Sequence, residues 1–168
     1  MRKVYVGIDP GKEGAVVRLH VEFPGSAQVY DTPVLRSRGS AKTVYDEPEM
    51  ARVLRQAAAV RDGFHALVVI EKVHAMPRQG VTSSFNFGRG FGVVEGVFAA
   101  MGRPVTYVSP AKWKKAMGLT ADKGVSRRRA IEQWPAHGKH FARVKDDGRA
   151  EAALIALWHL RQRQGRAA

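Results

Sequence analysis

Apolar positions recur with two different periods along this chain, and each change of period marks a change from strand to helix. Tyr5 to Asp9 is rich in Val and Ile and is closed by Pro10-Gly11, which predicts a strand followed by a turn. Ala15 to Val21 and Ala27 to Thr32 predict two more strands, with Phe23-Pro24-Gly25-Ser26 as the turn, and so an antiparallel three-stranded unit. Leu35 to Thr43 is polar, carries Arg36, Arg38 and Lys42, and reads as a mobile basic loop. From Glu47 to Val60 the period is helical, with Met50, Val53, Leu54 and Ala57 on one face and Pro48 near the start. The run "ALVVIE", Ala66 to Glu71, predicts a strand covered on both faces.

After the loop-like "HAMPRQGVTSS" a helix is predicted from near Ser84 to about Met101, and Pro104 to Val108 gives another short strand. Ser109-Pro110 starts a short basic helix, "AKWKKAMGL", and Ser126 is the expected cap of the next one. "KDDGRAEAALIALWHLRQRQ" predicts a long final helix with Ala153, Leu154, Leu157 and Leu160 as its apolar stripe. The order βββ, α-β-α-β and then helices predicts an α/β fold. Its five-stranded mixed sheet has the first three strands antiparallel, the fourth and fifth parallel to the first, and helices alongside. No repeat or linker divides the chain, so residues 1–168 read as one domain with a basic tail from about 161.

Composition narrows the chemistry. With no cysteine, a disulfide, a Cys-ligated zinc site and a thiol nucleophile are all excluded. Arg2 and Lys3 lead straight into a strand pattern rather than a signal peptide, and no apolar run approaches the ~20 residues of a membrane span. The expectation is a soluble protein of the cytoplasm. Lys plus Arg number 28 against 15 Asp plus Glu, a formal net charge of +13, which favours a nucleic-acid partner through phosphate neutralisation.

In so basic a chain, acidic residues at strand ends are conspicuous. Asp9 and Glu71 each end an expected buried strand, and residues past the carboxyl ends of parallel strands line the ligand crevice of an open α/β sheet. If the two strands are parallel neighbours, the carboxylates stand side by side and call for a cation. Asp147 and Glu151 lie four residues apart at the start of the last helix, on one face of it. Four such side chains converging suit hard divalent ions such as Mg²⁺, and two ions together suit phosphodiester hydrolysis. Singly, each has a plainer reading: Asp9 as a turn residue, Glu71 paired with Arg78 or Lys72, and Asp146, Asp147 and Glu151 as complements of a helix dipole.

The ordered set "GIDPG", "VVIEKVHAMPRQGVTSSFNFGRGFGVVEGVFAAMG", "VSPAKWKKAMG" and the acidic last helix resembles the RuvC-type Holliday junction resolvases of the RNase H-like superfamily, over nearly the whole chain. The resemblance implies a homodimeric endonuclease that uses Mg²⁺, with Mn²⁺ as a substitute, two ions per site. It implies paired symmetric nicks across a four-way DNA junction, leaving 5′-phosphate and 3′-hydroxyl ends. Asp9 and Glu71 match the family's first two carboxylates, and Glu151 in "AEAALIA" stands where many members have Asp. The family's commoner spacing puts the remaining ligand where this chain has Gly148. That role is assigned to Asp147, with Asp146 in reserve. The "KDDGRAEA" form is more similar to phage and viral members.

Several residues suit a DNA substrate. His74 occupies the position of a family aromatic that stacks on junction bases, and Arg78, Phe85, Phe87 and Arg89 follow; for the two phenylalanines a core role is an equal alternative. Lys112, Lys114 and Lys115, then Arg127, Arg128 and Arg129, form two clusters suited to phosphates. Gly88, Gly92 and Gly96 recur every fourth residue and suit either close packing within the subunit or, by the resemblance, a dimer interface. Three rival readings are weighed against this one. They are a non-catalytic DNA-binding protein, another RNase H-like nuclease acting on RNA·DNA hybrids or flaps, and one lobe of an actin-like ATPase, for which the chain is too short.

Overall fold

The chain is described by a computed structural model that covers residues 2–21, 23–36, 39, 43–60, 63–72 and 80–165. Its elements are β1 (Arg2–Asp9), β2 (Ala15–His20), β3 (Phe23–Asp31), β4 (Val34–Arg36), β5 (Thr43–Tyr45), α1 (Glu47–Ala57), β6 (Phe64–Glu71), α2 (Val81–Ala100), β7 (Val105–Val108), α3 (Pro110–Ala116), α4 (Lys123–Gln133) and α5 (Asp147–Gln164). Two 3₁₀ turns, Pro135–His140 and Val144–Asp146, join α4 to α5.

Five strands form one mixed sheet in the order β3-β2-β1-β6-β7. β1 and β2 pair antiparallel, as do β2 and β3, whereas β6 runs parallel to β1 and β7 parallel to β6. β1 therefore lies at the centre, and its covered strands read as apolar runs because helices pack on both faces. On one face Val6, Ile8, Val68 and Ile70 pack against Met50, Leu54, Val94 and Phe98 of α1 and α2. On the other, Tyr5, Val17 and Val69 meet Trp113 of α3, Ala130 of α4 and the Ala152–Leu157 stretch of α5. Fully burying one such Val, Ile or Leu is worth roughly 1.5–3 kcal/mol, so the two layers hold the sheet between them.

Gly7 fixes how close α5 lies. A Cβ there would fall 2.6 Å from the Ala156 amide nitrogen and 2.9 Å from the Ala156 methyl. Only a glycine in the sheet, facing alanines in the helix, lets the two backbones approach this far.

Four expectations need correction. Of the segment read as a mobile basic loop, Leu35 and Arg36 belong to β4 and Thr43 begins β5, and these two strands pair as a second, two-stranded sheet, with Val34 opposite Tyr45 and Arg36 opposite Thr43; Arg38 and Lys42 lie outside the described residues. That hairpin is held by long-range contacts invisible to local pattern: Lys12 donates to the Thr43 carbonyl at 2.5 Å, and the Tyr45 hydroxyl to the Pro10 carbonyl at 3.2 Å. The residues "FPGS" belong to β3, which pairs with β2 from Phe23 onward across a register shift at Leu19/His20. The α4 cap is Asp122, which accepts from the Gly124 N–H at 2.7 Å; Ser126 is buried inside the helix. Finally, α2 begins at Val81, after Gly80, rather than near Ser84. Among the described residues, no helix is long and apolar enough to cross a membrane.

Candidate active site

Strand parity brings the first two carboxylates together. Residues two apart in a strand share a face, so Asp9 lies on the face of Tyr5 and Gly7, and Glu71 on the face of Val69. Both faces look toward α5. The parallel register pairs Ile8 with Ile70 at the end of the ladder, so Asp9 and Glu71 are the next residues on adjacent strands. The α5 helix crosses above them and carries Glu151 into the same space. Glu71 and Glu151 are buried, 5% and 6% exposed, while Asp9 is part-buried at the rim.

Burial and the neighbouring carboxylates raise the proton affinity of Asp9 and Glu71. Loss of hydration is the main cause at Asp9, opposed by the Gly11 N–H donated to Oδ1 at 3.1 Å and reinforced by Glu151, and its carboxyl is pushed up to about 6. At Glu71 burial again leads and the charge of Asp9 adds to it. The Trp113 indole and Lys114 only partly offset these, and the carboxyl reaches about 7.

Donors from α3 grip the two deeper carboxylates. Trp113 Nε1 donates to Glu71 Oε1 at 2.6 Å, and Lys114 Nζ to Glu151 Oε1 at 2.6 Å. Asp147 pairs with Arg127 and has Lys123 Nζ at 4.0 Å. With Asp9, Lys12, Thr43, Lys123 and Lys145 it lines an open cleft of about 800 Å³. Asp146 faces elsewhere: its carboxylate accepts from the Arg143 N–H at 2.9 Å and from the Arg143 guanidinium at 2.8 Å, with Arg149 at 3.4 Å. Burial works against its charge, but these partners prevail and hold its carboxyl below the usual range. Of the two neighbouring aspartates, Asp147 is the one in the cleft.

Among the described residues, no group of three or more His, Asp or Glu is arranged to hold a metal ion together. The all-oxygen donor set, with the Asp9 and Glu71 carboxyls pushed up by burial and by neighbouring carboxylates, nevertheless fits a hard divalent cation. In this arrangement Lys114 and Arg127 occupy carboxylate oxygens that such a cation would take over, and Trp113 occupies one of the two oxygens of Glu71.

The expected DNA contacts are dispersed. Lys112, Lys115 and Arg128 are exposed, whereas Lys114 and Arg127 are turned onto Glu151 and Asp147. Arg129 lies 3.5 Å from Glu132, and Arg89 pairs with Glu47 at 2.6 Å. Phe85 is 71% exposed, which removes it from the core, and Phe87 is half-buried beside Phe91. A Cβ at Gly88, Gly92 or Gly96 would meet open space, so close packing within the subunit does not explain the stripe. His74 and Arg78 lie outside the described residues. Sequence reasoning passed over Trp113, Lys12 and Lys123; a lone aromatic in a basic helix was the only signal for Trp113.

Glu71 gives a pH test. Its carboxyl binds a proton more tightly folded than unfolded, so between about 4.5 and 7 the native state carries the excess protons and this group's contribution to stability falls as pH rises. Melting of the metal-free wild type beside Glu71→Gln should show the variant gaining a growing advantage from pH 5 to pH 8. A constant difference across that range would mean that Glu71 is not held against its charge.

A central parallel pair flanked by an antiparallel meander, with helices on both faces, is an RNase H-like topology. The fold is shared with RuvC of Thermus thermophilus. The structure of that protein in complex with Holliday junction substrate is 21% identical, with 97% of this chain and 96% of that one covered and a TM-score of 0.59. A second T. thermophilus RuvC structure is 21% identical over 96% of both chains, with a TM-score of 0.56. No protein-family model matches the chain, and no curated protein matches it.

Proposed function

We propose that the protein is a metal-dependent endonuclease that resolves four-way DNA junctions. The observation that carries this reading is the convergence of Asp9, Glu71 and Glu151 at the end of the central strand pair, two of them with carboxyls raised to about 6 and 7. A basic protein that only bound DNA would have no use for buried acids that weaken its fold. The same fold in a RuvC bound to Holliday junction substrate supports the choice of substrate.

Asp9, Glu71 and Glu151, with Asp147 at the mouth of the cleft, would hold Mg²⁺ or Mn²⁺. Divalent ions there supply charge neutralisation at the scissile phosphate and lower the pKa of water for in-line attack. The protein's own part is to fix Asp9 and Glu71 on strand ends and Asp147 and Glu151 on the first turns of α5, to exclude bulk water from Glu71 and Glu151, and to line the cleft with Lys12, Lys123 and Lys145 for the phosphate chain. The products carry 5′-phosphate and 3′-hydroxyl ends. Two copies related by a two-fold axis suit a symmetric junction. The exposed face of α2, with Val81 86% and Phe85 71% exposed beside the open glycine stripe, is the surface offered for that contact. The phage or viral affinity rests on "KDDGRAEA" alone.

The test is cleavage of a synthetic four-way DNA junction in Mg²⁺, beside a linear duplex and an RNA·DNA hybrid. Paired symmetric nicks confined to the junction are expected. Preferential cleavage of the hybrid would make the protein a ribonuclease instead, and tight binding with no cleavage in Mg²⁺ or Mn²⁺ would make it a DNA-binding module.

A further inference from the structure

The short helix α3 sends consecutive side chains to two different carboxylates. Lys114 reaches Glu151 with a flexible ammonium whose side chain is 15% exposed. Trp113 differs in kind: it is fully buried, and its indole Nε1 donates to Glu71 Oε1 at 2.6 Å. An indole N–H can only donate, carries no charge to be displaced by an incoming cation, and sits on a ring with two rotatable bonds. Packing fixes those bonds here, since Trp113 belongs to the core cluster with Val108, Met117 and Leu154.

From this geometry we infer that Trp113 is a positioning residue, holding the Glu71 carboxylate in one orientation by occupying one of its two oxygens. The inference rests on the nuclease reading of the site. The plainer account is that a buried indole N–H needs an acceptor and Glu71 happened to be near. The core argues against that, because Trp158 Nε1 is also buried and has no hydrogen-bond partner among the described residues. Burying an indole in this protein does not require an acceptor. What the bond does supply is direction at the end of β6, where a Glu has three side-chain torsions to be fixed.

The experiment compares wild type, Trp113→Phe and Asp9→Asn for Mn²⁺-induced change in melting temperature, for tryptophan emission during Mn²⁺ titration, and for the Mg²⁺ dependence of junction cleavage. Trp113→Phe should fold with wild-type circular dichroism. Its half-saturating ion concentration should rise about tenfold or more, the scale of a lost hydrogen bond to a charged group. The emission change on adding Mn²⁺ should shrink with it. If Trp113→Phe does not fold, a benzothienyl-alanine at position 113 keeps the ring bulk and removes only the N–H, and the same rise is expected. Ion dependence within twofold of wild type in the folded variant, with Asp9→Asn losing the response, overturns the positioning role and leaves the nuclease reading intact. A wild type that shows neither an ion-induced shift nor cleavage overturns both.

Discussion

Asp9→Asn is expected to melt a few degrees higher than wild type at pH 7.5 in the absence of divalent ions, and to cleave junctions on the order of 10³ more slowly in Mg²⁺. Both effects come from one side chain. Its carboxyl is pushed up to about 6 because ionising it costs hydration and places a charge near Glu151. A rise of that size corresponds to roughly 1–3 kcal/mol of destabilisation when the group is charged, and the neutral amide avoids it. Asparagine retains an Oδ1 to accept the Gly11 N–H, which wild type receives at 3.1 Å, so the turn after β1 should survive. Added Mg²⁺ should reverse the order of stability, raising wild type and leaving the variant unmoved. If Asp9 were only a turn residue, the substitution would leave the melting temperature nearly unchanged, because the Gly11 bond survives, and would change nothing in its response to ions. Melting curves with and without Mg²⁺, read beside junction cleavage, separate the two outcomes.

What was legible in the sequence followed from local rules. "GIDPG" and "VVIE" revealed their carboxylates because an acid at the end of an apolar run breaks the pattern that a covered strand requires, and parity then fixes its face. The long-range part was not legible. Nothing local shows that Lys12 and Tyr45 tie the β4–β5 hairpin beside the β1 turn. Lys114 and Arg127 look like any other solvated cations of a basic helix until α5 is packed opposite them. Asp146 and Asp147 could not be separated by spacing alone, because the choice depends on Arg143 and Arg149, which draw the first of them away. Gly7 carried no signal at all, yet it sets the distance between α5 and the sheet on which the meeting of Glu151 with Asp9 depends.

The same closeness accounts for the glycine at position 148, where the family's commoner spacing would put an acid. The first turn of α5 lies directly on the β1–β2 turn. A Cβ on Gly148 would fall 2.6 Å from the Gly14 Cα and 2.9 Å from the Glu13 carbonyl carbon, both backbone atoms that cannot rotate aside. Gly14 is itself confined, since a Cβ there would come 2.9 Å from the carbonyl carbon of Asp9. Gly148→Asp, which restores the commoner spacing, is therefore expected to destabilise the protein by about 3 kcal/mol or more, the scale of forced overpacking against backbone. The strain would be relieved by lifting the N-terminal turn of α5, and that motion carries Glu151 away from Asp9 and Glu71. Activity should fall with stability, and the double variant Asp147→Asn/Gly148→Asp should be no more active than Asp147→Asn alone. Denaturant unfolding together with junction cleavage decides it. A double variant that regained activity would mean that α5 can shift without loss of the site, and that the glycine contact does not govern where the fourth carboxylate stands.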